Sequence, residues 1–330
     1  MKKSTDGYKI PNGGEMAYFD STMAKTKYWK ECNHSIYDKD NPVAYTLEPL
    51  FEKKNGKSDM AYVAYNDQVP ENFYGTKGGH SKGILMVGAT TAVWLQHSVP
   101  RFPKKLHDGR YEYPESGREN AQLFLCVTFP AKETDIIAQH LRVQYANVYQ
   151  KDASKAMLKK YPIFHELYSG KYVTGKESLA NDTLLSMKRQ RMRSVAKRGT
   201  WHHDIYTDIV APYIVKDDIY VESWTNGAGG TVDAFCRLKY SVTDVKTVRI
   251  MFASHKQIKF SSKEDHSKWA VAAKKSFFCF SSLNRMKSQY HRGGEVTCME
   301  NGQLANLFRN SIKDKDSCED NKQNEIPEYK

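Results

Sequence analysis

The sequence predicts a mixed α/β (α+β) protein made of two related halves, and three observations predict it. Short apolar runs rich in Val, Ile, Tyr and Phe are interspersed with longer stretches in which apolar residues recur every three or four positions. The tripeptide His-Ser-Lys occurs twice, in Gly79-His80-Ser81-Lys82-Gly83 and in Asp265-His266-Ser267-Lys268-Trp269. A hydrogen-bonding side chain follows each copy at a matching distance, His97 fifteen residues after Lys82 and Asn284 sixteen after Lys268. Together these read as a duplicated half-site, its two motifs meeting across a pseudo-two-fold axis.

Taken in order, residues 60–65, 83–87, 92–96 and 123–129 read as strands ended by Gly, Pro or Asp. Residues 219–224, 248–252 and 269–272 read likewise in the second half. Helical spacing marks 131–147, 153–161, 177–197 and 302–312. The best boundary falls at 168–175. This gives an N-terminal half, 1–175, with the first His-x-Lys motif and a C-terminal half, 176–312, with the second. A polar tail, 313–330, is expected to be loose apart from Cys318.

Composition narrows the partners. Among 330 residues, 50 Lys and Arg outnumber 38 Asp and Glu, for a net charge of +12, and 40% hydrophobic content suffices for a core. Such a field attracts polyanions, nucleic acid ahead of acidic membranes. The N-terminus has basic residues but no apolar h-region, so no signal peptide is visible, and no apolar run is long enough to span a membrane. The densest basic run holds Lys188, Arg189, Arg191 and Arg193. It reads either as a strip for DNA phosphates or as the solvated face of a helix.

The motifs point to phosphate-ester chemistry. On a strand, His80 and Lys82 leave the same face, as do His266 and Lys268. An ammonium neutralises non-bridging oxygens while an imidazole attacks phosphorus or protonates the leaving group. Nothing in the pattern asks for a cofactor. Trp201-His202-His203-Asp204 invites a metal reading, but adjacent His residues point to different sides, and no carboxylate cluster for two-metal chemistry is evident, so no metal site is assigned.

Several longer runs carry a resemblance: GHSKGILMV, WLQHSVPRFP, DHSKW and SLNRMKSQYHRGGEVTC, with LEPLF, AYVAYNDQVP and LFLCVTFP around them. The chain resembles the deoxyribonuclease II family, acid endonucleases of the phospholipase D-like superfamily, from about Tyr8-Lys9-Ile10-Pro11 to Cys318. The resemblance implies a phospholipase D-like pseudo-dimer and metal-independent cleavage of double-stranded DNA through a phosphohistidine, leaving 3′-phosphate and 5′-hydroxyl ends. His80, Lys82, His266 and Lys268 would be catalytic, with His97 and Asn284 supporting the phosphate. The first motif usually carries the nucleophile, which favours His80.

The resemblance also implies disulfides Cys279–Cys298 and Cys236–Cys318, with Cys32 the substitute partner for Cys126, and a lysosomal or secreted protein. Two sequons, at Asn33 and Asn181, permit glycosylation in that setting. The family's Cys and apolar strand ahead of the YK-P segment are missing here. Gly88 replaces a common acidic residue, and Ser281-Ser282 replaces a Gly-Asp pair. A catalytically impaired DNA-binding or host-interaction homologue would keep the charge but usually loses a motif His; a phospholipase D-like lipid enzyme would lack the HSVPRFP match.

Overall fold

Strands buried on both faces set the architecture. The computed structural model describes residues 13–23, 25–51, 60–104, 110–175, 179–227, 229–236 and 239–318, so the Tyr8–Pro11 segment and residues 319–330 of the tail lie outside the described residues. A small ribbon of β1 (Ala17–Tyr18) and β2 (Lys30–Glu31) precedes helix α1 (Pro42–Phe51). Asn41 starts α1: its Oδ1 accepts from the N–H groups of Val43 and Ala44, and Pro42 takes the first position, where no N–H is needed.

The first sheet contains β3 (Ala61–Asn66), β4 (Lys82–Val87), β5 (Thr91–His97), β6 (Phe124–Pro130) and β7 (Val148–Asp152). Its order is β6-β5-β4-β3-β7, antiparallel throughout. Helix α2 (Thr134–Val143) links β6 to β7, and α3 (Lys155–Lys160) and α4 (Pro162–Tyr168) follow.

The second sheet opens with the hairpin β8 (Leu179–Leu185) and β9 (Arg191–Lys197), then a π-helical segment, Tyr206–Val215. It continues through β10 (Ile219–Glu222), β11 (Val242–Met251), β12 (Gln257–Ser261), β13 (Trp269–Ala272), β14 (Phe277–Ser281) and β15 (Gly294–Glu300). Helix α5 (Gly302–Asn310) and β16 (Ile312–Lys315) close it. The order is β12-β11-β10-β13-β14-β15-β9-β8, with β16 also on β11.

The period of two sorts side chains into layers. Val63, Tyr65, Leu85, Trp94, Trp269, Val271, Phe278 and Phe280 share one core with α2, α4 and α5. Alternate positions of the first sheet, Tyr62, Ala64, Ile84 and Met86, pack with α1. Alternate positions of the second sheet, Ala270, Ala272, Cys279 and Cys298, pack under the π-helical segment. The first motif enters the central strand β4 and the second leads into β13, which lies between β10 and β14.

Three expectations need correction. Residues 177–197 do not form a helix. The described part, from 179, is the β8–β9 hairpin, because Met192 and Ser194 turn inward while Arg191 and Arg193 turn outward, and Arg189 takes a left-handed φ of 62° at the turn. The tail is not loose at its start: β16 pairs with β11, and Asp316 N–H donates to Asp244 O at 2.8 Å. Cys32 and Cys126 are both unpaired, whereas Cys279–Cys298 and Cys236–Cys318 are joined as the resemblance implied. Asn33 and Asn181 are both exposed, and no described helix is long and apolar enough to cross a membrane.

Polar groups cross the seam between the sheets. Gln96 Nε2 donates to Thr297 Oγ1 at 3.2 Å, and Gln144, capping α2, donates to Glu295 Oε2 at 2.6 Å. Burial raises the pKa of Glu295 to about 7, with the amides of Gln96 and Gln144 opposing. The proton is therefore held more tightly folded than unfolded. The contribution of Glu295 to stability should be most favourable below the ordinary carboxylate range and decline as pH rises towards about 7. Glu295→Gln should remove up to about 3 kcal/mol of this decline between pH 4 and 8, measured by urea denaturation at each pH.

Candidate active site

Two glycines bring the first motif to the seam. Gly79 N–H donates to Tyr145 O at 2.8 Å, and His80 N–H donates to Gly293 O at 2.7 Å. A Cβ on Gly79 would stand 2.1 Å from Gln144 O, and so would one on Gly293, so neither position has room for a side chain. His80 is buried, with Nδ1 at 2.6 Å from Ser282 O. A carbonyl only accepts, so Nδ1 is the donor and carries the proton. Lys82 Nζ reaches Asp67 Oδ1 at 2.5 Å, and Arg292, from just before β15, reaches Asp67 Oδ2 at 3.0 Å. Burial alone would raise the pKa of Asp67; Lys82, His80 and Arg292 outweigh it and hold the carboxylate ionised.

The second motif is tied to the first sheet in return. His266 N–H donates to Ala121 O at 2.8 Å, and Ala121 N–H donates to Glu264 O at 2.9 Å. Gln122 Nε2 stands 3.5 Å from His266 Nδ1, and the Trp224 ring lies edge-on to the imidazole at 4.5 Å. Lys268 Nζ donates to His266 O at 2.5 Å. Nearby Glu222 is fully buried, and neither carboxyl oxygen has a partner among the described residues. Burial, then Asp265 and Asp244, push its pKa well up against the pull of Lys268, so it is a neutral acid.

The charges of the two motifs act on one another. Burial and then Lys82 press the His80 pKa well down, and Lys268 adds to this from the other motif. His266 falls to about 3 through burial, Lys268 and Lys82. Lys268 itself falls to about 7 through burial and the nearby Lys82. His97 ends β5, packed between Phe102 and Phe124, and burial followed by Lys82 lowers it to about 3. Asn284 is buried with Oδ1 unpartnered among the described residues, as are His266 Nε2 and Ser81 Oγ.

The deoxyribonuclease II model matches residues 3–318. The chain belongs to the deoxyribonuclease II family. It is similar to Plancitoxin-1 of Acanthaster planci, 33% identical over 313 residues, which cover 94% of this chain and 84% of that protein. Deoxyribonuclease-2-alpha of Rattus norvegicus is 31% identical over 288 residues, covering 86% of this chain and 81% of that protein. Cell death-related nuclease 6 of Caenorhabditis elegans is 29% identical over 325 residues, covering 95% and 82%.

Within this family member, not every residue singled out from sequence comes to the motifs. Lys188, Arg189, Arg191 and Arg193 sit at the far end of the β8–β9 hairpin, and Arg193 Nη2 donates to Asn181 Oδ1 at 2.8 Å. Gly294 pairs with Lys197 beside the site, whereas Arg191 is six residues further along β9, roughly 20 Å away at strand rise. The 201–204 segment is also divided: His202 faces His291 at 4.5 Å, His203 meets Asp208 at 3.1 Å, and Asp204 accepts from Arg285 at 3.1 Å. Sequence reasoning missed Asp67, Arg292, Gln122, Trp224 and Glu222. Asp67 and Arg292 lie inside the runs AYVAYNDQVP and YHRGGEVTC, but only the fold brings them together.

Asp67→Asn should leave the buried Lys82 and the half-buried Arg292 without the carboxylate they share. Breaking such a pair typically costs about 3–5 kcal/mol. Chemical denaturation should show that loss, while Arg118→Ala, on an exposed i,i+3 pair with Glu115, should change stability by about 0.5 kcal/mol or less.

Proposed function

We propose that this chain is an acid endonuclease that hydrolyses DNA phosphodiesters through a phosphohistidine, without a metal or other cofactor. One observation carries the reading: the buried imidazole of His80 and the half-buried one of His266 each lie within the field of both motif lysines, and each is tied to a backbone group from the other half of the chain. Family membership and relatives named deoxyribonucleases support DNA as the substrate. The double placement of His-Ser-Lys before central strands supports a pseudo-dimer of 1–175 and 176–312. The two joined disulfides favour an oxidising compartment, lysosomal or secreted.

In this reading His80 is the nucleophile. With the proton on Nδ1, the neutral ring presents its lone pair at Nε2. That pair attacks phosphorus, the bond to the 5′ oxygen breaks, and the imidazolium of His266 gives its proton to the departing oxygen. A water then loses its proton to His266 and its oxygen attacks phosphorus. The P–N bond breaks, leaving a 3′-phosphate and restoring both rings. Lys82 and Lys268 stabilise the charged oxygens, and His97 and Asn284 add hydrogen bonds.

His80→Ala and His266→Ala should each lower DNA cleavage about 10³-fold, and the double variant should be little worse than either, since groups acting as a unit are not additive. Supercoiled plasmid nicking measures this, and near-normal turnover in either single variant would sink the paired-site reading.

The pH dependence follows from two signs. His266 must be protonated to act as the acid; burial, Lys268 and Lys82 hold it at about 3, and a bound phosphodiester would raise it. Lys268, brought down to about 7 by burial and Lys82, carries its full charge on the acid side, so phosphate binding should weaken as pH rises through that region. Cleavage should peak below neutral pH, survive EDTA and fall with salt. A pH series at fixed ionic strength with and without EDTA checks it; an optimum above neutral, or activity lost to EDTA and restored by Mg²⁺, would overturn it.

A further inference from the structure

The two imidazoles have chemically different partners. His80 Nδ1 faces a main-chain carbonyl at 2.6 Å, and that group is an acceptor at every pH. His266 Nδ1 faces a side-chain amide instead. Gln122 Oε1 accepts from Ser98 Oγ at 2.6 Å, a hydroxyl-to-oxygen length rather than an amide N–H length. Ser98 Oγ already takes the N–H of Leu123 at 3.0 Å, so its single proton is free for Gln122. The amide nitrogen is left 3.5 Å from His266 Nδ1, a donor set against a lone pair. A neutral ring held this way keeps its proton on Nε2, the nitrogen that is buried without a partner among the described residues. Such a ring is inert in the cycle above: donating would leave an imidazolate, and Nε2 has no lone pair to accept a proton.

Protonation reverses the requirement. An imidazolium carries N–H on both nitrogens, and its Nδ1–H would meet the amide N–H head-on. A half-turn of the amide places Oε1 on Nδ1–H and Nε2 on Ser98 Oγ, which accepts as readily as it donates. The backbone ties on either side, Ala121 N–H to Glu264 O and His266 N–H to Ala121 O, keep the amide opposite the ring through the turn. The charged groups acting on His266 are Lys268 of its own motif and Lys82 at the start of β4, both opposing its charge; Trp224, Gln122 and Ser98 contribute none.

We propose that Gln122, held by Ser98, is a positioning residue whose amide turns with the protonation of His266, one orientation keeping the ring idle and the other holding it as the proton donor. This rests on the assignment of His266 as the acid. The structure thus gives the nucleophile a fixed acceptor and the acid a reversible one.

The test compares DNA with thymidine 3′-(4-nitrophenyl phosphate), whose 4-nitrophenolate leaves without a proton. Gln122→Glu supplies a permanent anionic acceptor, so the alkaline limb of kcat on DNA should move up by about one pH unit or more. Gln122→Leu supplies none, so kcat on DNA should fall about 10- to 100-fold while the first-turnover burst of 4-nitrophenol and the KM for DNA stay near wild type. Ser98→Ala should give a smaller loss of the same kind. An alkaline limb that does not move in Gln122→Glu, or a burst that falls with DNA cleavage in Gln122→Leu, would overturn the proposal, the second result marking a merely structural role. His266→Ala in the same assays separates the two levels: it should lose DNA cleavage and keep the burst. If it keeps DNA cleavage, the acid assignment itself fails, whatever the Gln122 variants do.

Discussion

One carbonyl group constrains the whole site. Gln144 O, at the end of α2, lies between Gly79 and Gly293, so close to both that a methyl group on either would stand 2.1 Å away. That contact puts the backbone of the first motif against the strand that enters β15. From it follow the bond of His80 N–H to Gly293 O, the reach of Arg292 to Asp67, and the pairing of Asp67 with Lys82. No ion pair could draw the halves this close unless the glycines first removed the steric barrier.

The site that results is unfavourable to its own charges. The two motif lysines lower the pKa of both imidazoles; Asp67 is held ionised beside Lys82, while burial pushes Glu222 well up. Both rings are therefore pushed towards the neutral form, and Lys268 is brought down to about 7. In the proposed reaction a phosphodiester would bring negative charge to these groups and favour protonation of His266. Binding and activation are in this sense one electrostatic event.

Much of this was legible in the sequence. The doubled His-Ser-Lys and the matched positions of His97 and Asn284 identified the candidate site, and alternation located β3 to β6 and β13 closely. The β8–β9 hairpin was not legible, because Leu184, Met187, Met192 and Val195 happen to satisfy a helical spacing, and the left-handed turn at Arg189 leaves no Gly or Asn to announce it. Gln122 and Ser98 were not legible either. They are ordinary polar residues whose part comes from a short bridge between Ala121 and Asp265, a contact across 144 positions of chain. At Ser281-Ser282, which stand in place of a Gly-Asp pair, the group that meets His80 is the backbone carbonyl of Ser282, which a change of side chain does not remove.

The unequal partners of His80 and His266 also bear on how such a molecule can diversify. Two identical subunits meeting on a true two-fold axis would give both imidazoles the same neighbour, and any mutation would alter both at once. A single chain that encodes the motifs separately is free of that restriction. A Ser-Gln pair can arise beside one ring while a backbone carbonyl stays beside the other, and selection can adjust one imidazole without disturbing the other. Covalent continuity here does more than hold two sheets together: it gives each half a separate evolutionary history.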